Sequence, residues 1–156
     1  MFKSKTTLAL CALATVALAL PALSLAGKNT IELEAKLTGK AEVPGPGSPK
    51  GKGDIHVFLK PTQDKVCYDF EVKKLDEMTA GHIHKGDSET AGPVKVTLFE
   101  DDTGLEGTGA YEGCVKNVKA KLLKKIANAP EKFYVNLHTF DYPDGAIRGQ
   151  LELTNP

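Results

Sequence analysis

The feature that most constrains this chain is a two-residue alternation of apolar and polar side chains, which begins at Thr30. In the first run, charged residues separate four apolar ones, namely Ile31, Leu33, Ala35 and Leu37. This period is typical of strands that bury one face. Similar runs, divided by glycine and proline turns, lie near residues 54–60, 66–72, 94–99, 133–140 and 146–153. With a strand around the His82–His84 segment, the pattern predicts about seven short strands in an all-β fold, an antiparallel Greek-key sandwich or barrel.

One segment departs from the alternation and predicts a short helix near residues 118–128. Val118, Leu122 and Ile126 recur at a spacing of four, with lysines between them. That spacing places the three apolar side chains on one face of an amphipathic helix, which Pro130 ends.

Residues 1–26 have the layout of a secretory signal peptide. A short basic start precedes an apolar run from Leu8 to Leu20, and small residues at Ser24 and Ala26 fit a cleavage site. A membrane anchor is the alternative, but the apolar run has about 13 residues and a span needs about 20. We therefore expect cleavage, a single domain over residues 27–156 without a membrane span, and a periplasmic or secreted location.

The charge of the chain is nearly balanced. It has 20 basic and 20 acidic residues, and loss of Lys3 and Lys5 with the leader leaves 18 against 20, a net charge of −2. The lysines are also scattered among acidic residues along the sequence. Such a composition gives no electrostatic footprint for a nucleic-acid backbone, so we expect no nucleic-acid partner.

Three cysteines are present, and Cys11 leaves with the leader. In an exported protein the remaining Cys67 and Cys114 are expected to form one disulfide bond. The alternative is a thiolate ligand in a blue-copper site, which requires a histidine close to the cysteine. No histidine lies near either cysteine in the sequence.

All four histidines fall on polar positions of alternating runs. His82 and His84 flank the apolar Ile83, so on a strand their rings share a face about 6.5 Å apart. The same parity directs His138 and His56 away from the core. A set of imidazoles without a run of carboxylates suits Cu(II) or Zn(II), and the Irving–Williams order favours copper. We therefore predict a surface copper site with His82, His84 and His138 as ligands and His56 as a fourth, and zinc as the alternative.

The turn after His138 suggests where the only arginine lies. A type I turn with a glycine bulge would pair Tyr142 with Ala146, and this register would set His138 opposite Gln150. Arg148 then lies on the histidine face, one residue pair from His138. Its role is either a surface ion pair or, together with Gln150, support of the metal site by holding an anion or bracing a carboxylate.

Four segments resemble the hallmark blocks of the CHRD domain, a family named for its occurrence in chordin. They are residues 38–44, 81–86, 134–139 and 143–151. The resemblance covers nearly all of the mature chain and implies an extracytoplasmic β-sandwich whose function in bacteria is largely unassigned. His56 is not at a hallmark position.

A second similarity is to the copper half of Cu,Zn superoxide dismutase, through Gly81–His84 and a strand histidine far downstream. Four histidines cannot supply both the bridging histidine and the zinc cluster of that family. We expect an exported copper-binding protein that buffers, carries or delivers the metal, with a copper-handling protein as a possible partner. The alternatives are a copper-only dismutase-like enzyme and a protein-interaction module without metal. Whether Met78 adds a soft ligand stays open.

Overall fold

The computed structural model describes residues 30–154, so the predicted signal peptide lies outside the described residues. Nine strands and one α-helix are formed within this range. The elements are β1 (Ile31–Thr38), β2 (Lys52–Lys60), β3 (Lys65–Lys73), β4 (Met78–Lys85), β5 (Val94–Leu105), β6 (Gly109–Lys116), α1 (Ala120–Asn128), β7 (Phe133–Thr139), β8 (Ile147–Gln150) and β9 (Glu152–Leu153).

The strands pair antiparallel in one sheet, in the order β5-β4-β7-β8-β1-β2-β3-β6, with β9 on β1. The two outer strands β5 and β6 also contact each other, so the sheet curls into a nearly closed barrel. β6 hydrogen-bonds to β3 and not to β5, which precedes it in the chain, and this gives a Greek-key arrangement. The predicted all-β fold is confirmed.

The core follows the alternation read from the sequence. Apolar positions of β1, β2 and β3 are buried on the inner face, and Ile83 of β4 and Leu137 of β7 face them. The predicted helix is confirmed as α1, which buries Leu123 and Ile126 against this core. Each such side chain contributes about 1.5–3 kcal/mol relative to an exposed position.

One strand was not predicted. β6 lies in a glycine-containing stretch whose residues are half-buried or exposed, and glycines weaken the strand pattern. It forms because β3 offers its free edge over eight successive residue pairs. Cys67 and Cys114 are directly opposite in this ladder, and the predicted disulfide between them is confirmed.

The predicted register of β7 and β8 is wrong by four residues. Gln150 pairs with Tyr134, not with His138, and Arg148 pairs with Asn136. The reason is that residues 140–146 leave the ladder and form a loop with its own backbone bonds to the Tyr142 carbonyl. A shift of four is even, so Arg148 and Gln150 stay on the histidine side of the sheet.

Within the described residues, no helix has the length and apolar character that a membrane crossing requires.

Candidate metal site

Three of the four predicted ligands come together on the outer face of β4 and β7. The strands pair so that Ala80 lies opposite His138 and His82 opposite Asn136, which sets His82 diagonally across from His138. His84 follows His82 by two residues on the same strand. Ring centroids are 4.9 Å apart for His82 and His138, 5.5 Å for His82 and His84, and 6.2 Å for His84 and His138. One nitrogen of each lies within 4.8 Å of the others. Metal–nitrogen bonds of about 2 Å separate tetrahedral ligands by about 3.3 Å, so small ring rotations are sufficient to hold an ion.

Backbone carbonyls fix the tautomers of two rings. His84 donates its Nδ1 hydrogen to the Gly92 carbonyl at 2.8 Å, and His138 donates its Nδ1 hydrogen to the Pro143 carbonyl at 2.8 Å. A neutral imidazole has one hydrogen, so Nε2 of each ring carries a lone pair. This is the arrangement of metal-binding histidines, whose second nitrogen donates to a carbonyl or carboxylate.

The third ring, His82, connects the site to solvent. Its Nδ1 lies 3.0 Å from Nε2 of His138, which can only accept, so Nδ1 is the donor. The other nitrogen of His82 faces the exposed Glu100 carboxylate at 4.0 Å. About 14% of the His82 side chain is exposed, which makes this the open side of the cluster.

Burial keeps the cluster neutral. Desolvation, together with the neighbouring rings of His138 and His84, lowers the pKa of His82 to about 4. Desolvation is also the main cause that lowers the pKa values of His84 and His138. Neutral imidazole is the form that binds a metal ion, so the three rings need no deprotonation at neutral pH.

The site is not the open surface that strand parity predicted, because loops cover this face of the sheet. Every residue of β7 is buried, on both faces. His84 and His138 are below one-tenth exposed. The outward side chains of β7 and β8 form a polar layer beneath the loops, which consists of Tyr134, Asn136, His138, Arg148 and Gln150.

Tyr134 sits in the middle of this layer. The His84 ring stacks on it at 4.8 Å between centroids, and the guanidinium of Arg148 lies 3.4 Å above its centre. Two planar groups this close would clash on one face, so they occupy opposite faces of the Tyr134 ring. Arg148 is therefore separated from the histidine cluster by an aromatic ring.

Arg148 and Gln150 hold a loop over the site, at residues 86–93. Arg148 is 1% exposed, which makes it the largest fully buried side chain among the described residues. Both side chains donate to backbone carbonyls, which are those of Asp87 and Thr90 for Arg148 and those of Gly86 and Glu131 for Gln150. The surface ion pair that was one of the two alternatives for Arg148 is not formed within the described residues.

Gly92 is where the clamped loop reaches His84. A Cβ atom there would lie 1.6 Å from the carbonyl oxygen of Lys85, so only glycine allows the loop to approach β4 this closely. Its carbonyl accepts from His84, and its N–H donates to the Tyr134 hydroxyl at 3.1 Å. The loop therefore orients the His84 ring through one backbone group.

Four buried side-chain atoms within the described residues have no hydrogen-bond partner, and all lie in this polar layer or on a residue that contacts it. They are Oε1 of Glu42, Nε2 of His84, Oδ1 of Asn136 and Nη1 of Arg148. Glu42 accepts from Asn136 at 3.0 Å through its other oxygen. Burial, offset in part by Arg148 and by the bond from Asn136, raises the pKa of Glu42 to about 7.

The structure does not bring His56 to the other three histidines. It lies on β2, three strands from β7, where half of its side chain is exposed. Its ring nitrogens face carboxylates, with Asp69 at 3.1 Å and Glu34 at 3.9 Å. The structure thus brings together three of the four histidines. The parity of His56 was right, but β2 and β7 are not neighbours in the sheet.

Met78 is fully buried in the hydrophobic core and offers no soft ligand at the surface of the cluster. Sequence reasoning missed Tyr134 and Asn136 as parts of the site. The parity that placed His138 outward places both of them on the same face, so the signal was available. No sequence signal identified the carbonyls of Gly92 and Pro143, because their positions depend on how the loops return.

The fold and the cluster define a class of protein: an antiparallel β-barrel with one disulfide and a three-histidine group beneath its loops. The family model for the CHRD domain matches residues 33–151. The chain belongs to the CHRD domain family, as its sequence blocks indicated. No curated protein and no solved structure matches it.

Proposed function

We propose that this protein is an exported copper-binding protein that buffers, carries or delivers the metal, with His82, His84 and His138 as ligands. The observation that carries the proposal is the Nε2 atom of His84. It is buried without a hydrogen-bond partner, yet its ring is fixed by Gly92 and lies within reach of two other imidazole nitrogens. An unpartnered buried polar atom costs about 1–3 kcal/mol, and a metal ion would satisfy it.

Binding would change only the proton of His82. Nε2 of His84 and Nε2 of His138 already carry lone pairs, because their Nδ1 hydrogens are donated to carbonyls. For His82 to ligate through Nδ1, its hydrogen moves to Nε2, which faces Glu100 at 4.0 Å. The carboxylate then stabilises that tautomer.

Three neutral imidazoles suit copper and zinc, and the Irving–Williams order favours copper where both are available. Three protein ligands leave a coordination position for exchange, as delivery to another protein requires. The half-open side at His82 is where a copper-handling partner would reach the ion. The disulfide between Cys67 and Cys114 supports an exported location, because such bonds persist in oxidising compartments.

The geometry disfavours the two alternatives. An interaction module without metal would be supported by rings more than about 8 Å apart, and these centroids are 4.9–6.2 Å apart. A copper-only dismutase would use Arg148 to guide a small anion to the metal. Tyr134 lies between Arg148 and His84, so the guanidinium cannot contact an anion on the ion directly.

The test is metal analysis of the mature protein purified from its native compartment without added metal. We expect about one copper per chain in the wild type and in His56→Ala, and none in His84→Ala. Zinc at the same stoichiometry would support the three-histidine site but would show that its metal is zinc and not copper. A wild type without bound transition metal, which also takes up no Cu(II) when titrated, would refute the proposal.

A further inference from the structure

Six of the lysines, scattered in sequence, are gathered at one end of the barrel. Lys60, Lys65 and Lys116 are directly opposite one another on the neighbouring strands β2, β3 and β6. Their apolar neighbours in the chain point into the core, so the three side chains share the outer face of the sheet. Like charges placed directly opposite across strands are destabilising.

Helix α1 adds to this row because its start is tied to the same turn. Asp64 accepts from the Val118 N–H through its carbonyl at 2.8 Å and from the Ala120 N–H through its carboxylate at 2.9 Å. Lys119 and Lys121 are therefore held beside Lys65, and both are exposed.

A cleft of about 380 Å³ between β5 and β6 extends the group, since Lys95 lines it together with Lys116 and Lys119. We define the lysine patch by its six members, Lys60, Lys65, Lys95, Lys116, Lys119 and Lys121.

No member of the patch is neutralised by an ion pair. Within residues 30–154, one ion pair contains a lysine. It joins Lys73 to Glu71, at the other end of β3. The acidic residue Asp64 lies next to Lys65 in the chain, but its carboxylate accepts a hydrogen bond from the Ala120 N–H at the start of the helix. Between Lys116 and Lys125 five of ten residues are lysine and none is acidic. The local charge is strongly positive although the whole chain is balanced.

The residue types in the patch indicate which class of partner it would bind. It contains no arginine, whose planar fork recognises individual phosphates or carboxylates, and no aromatic side chain on which bases stack. Lysine is also depleted in the cores of protein–protein interfaces. Flexible point charges in clusters of four to eight suit a diffuse anionic lipid surface. We propose that the lysine patch attaches the protein to membranes rich in anionic phospholipid.

The test is sedimentation of the mature protein with vesicles of phosphatidylcholine alone or with one-third phosphatidylglycerol, at 50 and 300 mM salt. The patch variant carries Lys65→Gln, Lys116→Gln and Lys119→Gln. The matched control carries Lys36→Gln, Lys40→Gln and Lys50→Gln, three exposed lysines elsewhere, with the same change in net charge. Circular dichroism and thermal melting check the fold, and we expect the patch variant to melt no lower than the wild type.

We expect wild type and control to bind the anionic vesicles at 50 mM salt, not the neutral ones, and to release them at 300 mM. The patch variant should bind about 100-fold more weakly, roughly fivefold for each lysine removed. Failure of the wild type to bind, or equal losses in patch and control variants, would overturn the proposal. So would equal binding to soluble DNA or dextran sulfate, which would show a general polyanion site.

Discussion

His56 and His138 occupy equivalent positions in the alternation of their strands, but their surroundings differ. His56 lies on the open face of β2, half-exposed, with its ring nitrogens turned to the carboxylates of Asp69 and Glu34. His138 lies beneath loops, donates to the Pro143 carbonyl and contacts His82. The exposed ring has carboxylates as partners for both of its nitrogens, whereas the buried ring is fixed by a carbonyl and keeps a lone pair for a metal.

The comparison shows that the cover of a sheet face, and not the parity of its strands, separates the two kinds of histidine. Loop residues 86–93 descend on β4 and β7 because Gly92 tolerates contact with the Lys85 carbonyl and Arg148 anchors the loop from below. The outer face of β2 and β3 has charged residues exposed to solvent instead.

The largest expected difference between the two faces is in metal affinity. His138→Ala removes a ligand from the cluster, so affinity for Cu(II) should fall by more than the 10- to 100-fold typical of losing a supporting residue. His56→Ala should bind as the wild type does. Competitive titration against a chelator of known affinity measures both. A His56→Ala loss equal to that of His138→Ala would remove the distinction between the faces.

The second difference is in how much the covering loop depends on one buried side chain. Arg148→Met keeps most of the volume but leaves the carbonyls of Asp87 and Thr90 without their donor. We expect a loss of about 3 kcal/mol in the free energy of unfolding, measured in urea. The affinity for Cu(II) should also fall about 10- to 100-fold, since the loop orients His84.

The control for Arg148→Met is Lys73→Met, which breaks the exposed ion pair with Glu71 and should cost about 1 kcal/mol or less. Equal losses of stability in the two variants would mean that Arg148 does not clamp the loop.

Much of the fold could be predicted from the sequence, because strands that bury one face have apolar residues at alternate positions. The inward positions of β1, β2, β3 and β7 follow this rule, and so does the shared face of His82 and His84. β6 was missed because two of its four inward positions are glycines, Gly109 and Gly113, so its alternation of exposure leaves little apolar pattern in the sequence.

The site was predictable only in part. Parity assigned each histidine to a face, but which strands are neighbours is decided by long-range pairing that single-strand patterns do not record. His56 was grouped with His138 for this reason. The burial of Arg148 could not be predicted either, because an arginine at a polar position of a strand is normally exposed.

The third difference is in proton binding on the covered face. In protein stripped of metal with a chelator, His82 should stay neutral down to about pH 4, whereas the unfolded chain titrates near 6.5. A folded pKa below the unfolded value means that stability is fully present above pH 6.5 and is lost as the pH falls toward 4. Imidazole NMR shifts, in native buffer and in urea, measure the two values.

For copper binding, the consequence is that protons begin to compete for His82 well below pH 6.5, at a lower pH than for an ordinary histidine. A His82 pKa near 6.5 in the folded protein would show that the cluster is open to solvent.

The smallest expected effect is on the exposed face. Asp69→Asn removes the carboxylate that lies 3.1 Å from His56, and both side chains are about half-exposed. Surface pairs of this kind contribute about 0–1 kcal/mol, so the melting temperature should change little and Cu(II) affinity should not change. A large loss of copper binding in Asp69→Asn would connect this face to the metal site.

The most direct test of the three-histidine centre is electron paramagnetic resonance of the protein loaded with one equivalent of Cu(II). One homogeneous signal with hyperfine coupling from three imidazole nitrogens is expected, unchanged in His56→Ala and replaced by a different spectrum in His84→Ala. A spectrum that survives His84→Ala, or that changes in His56→Ala, would contradict the assignment of the ion to His82, His84 and His138.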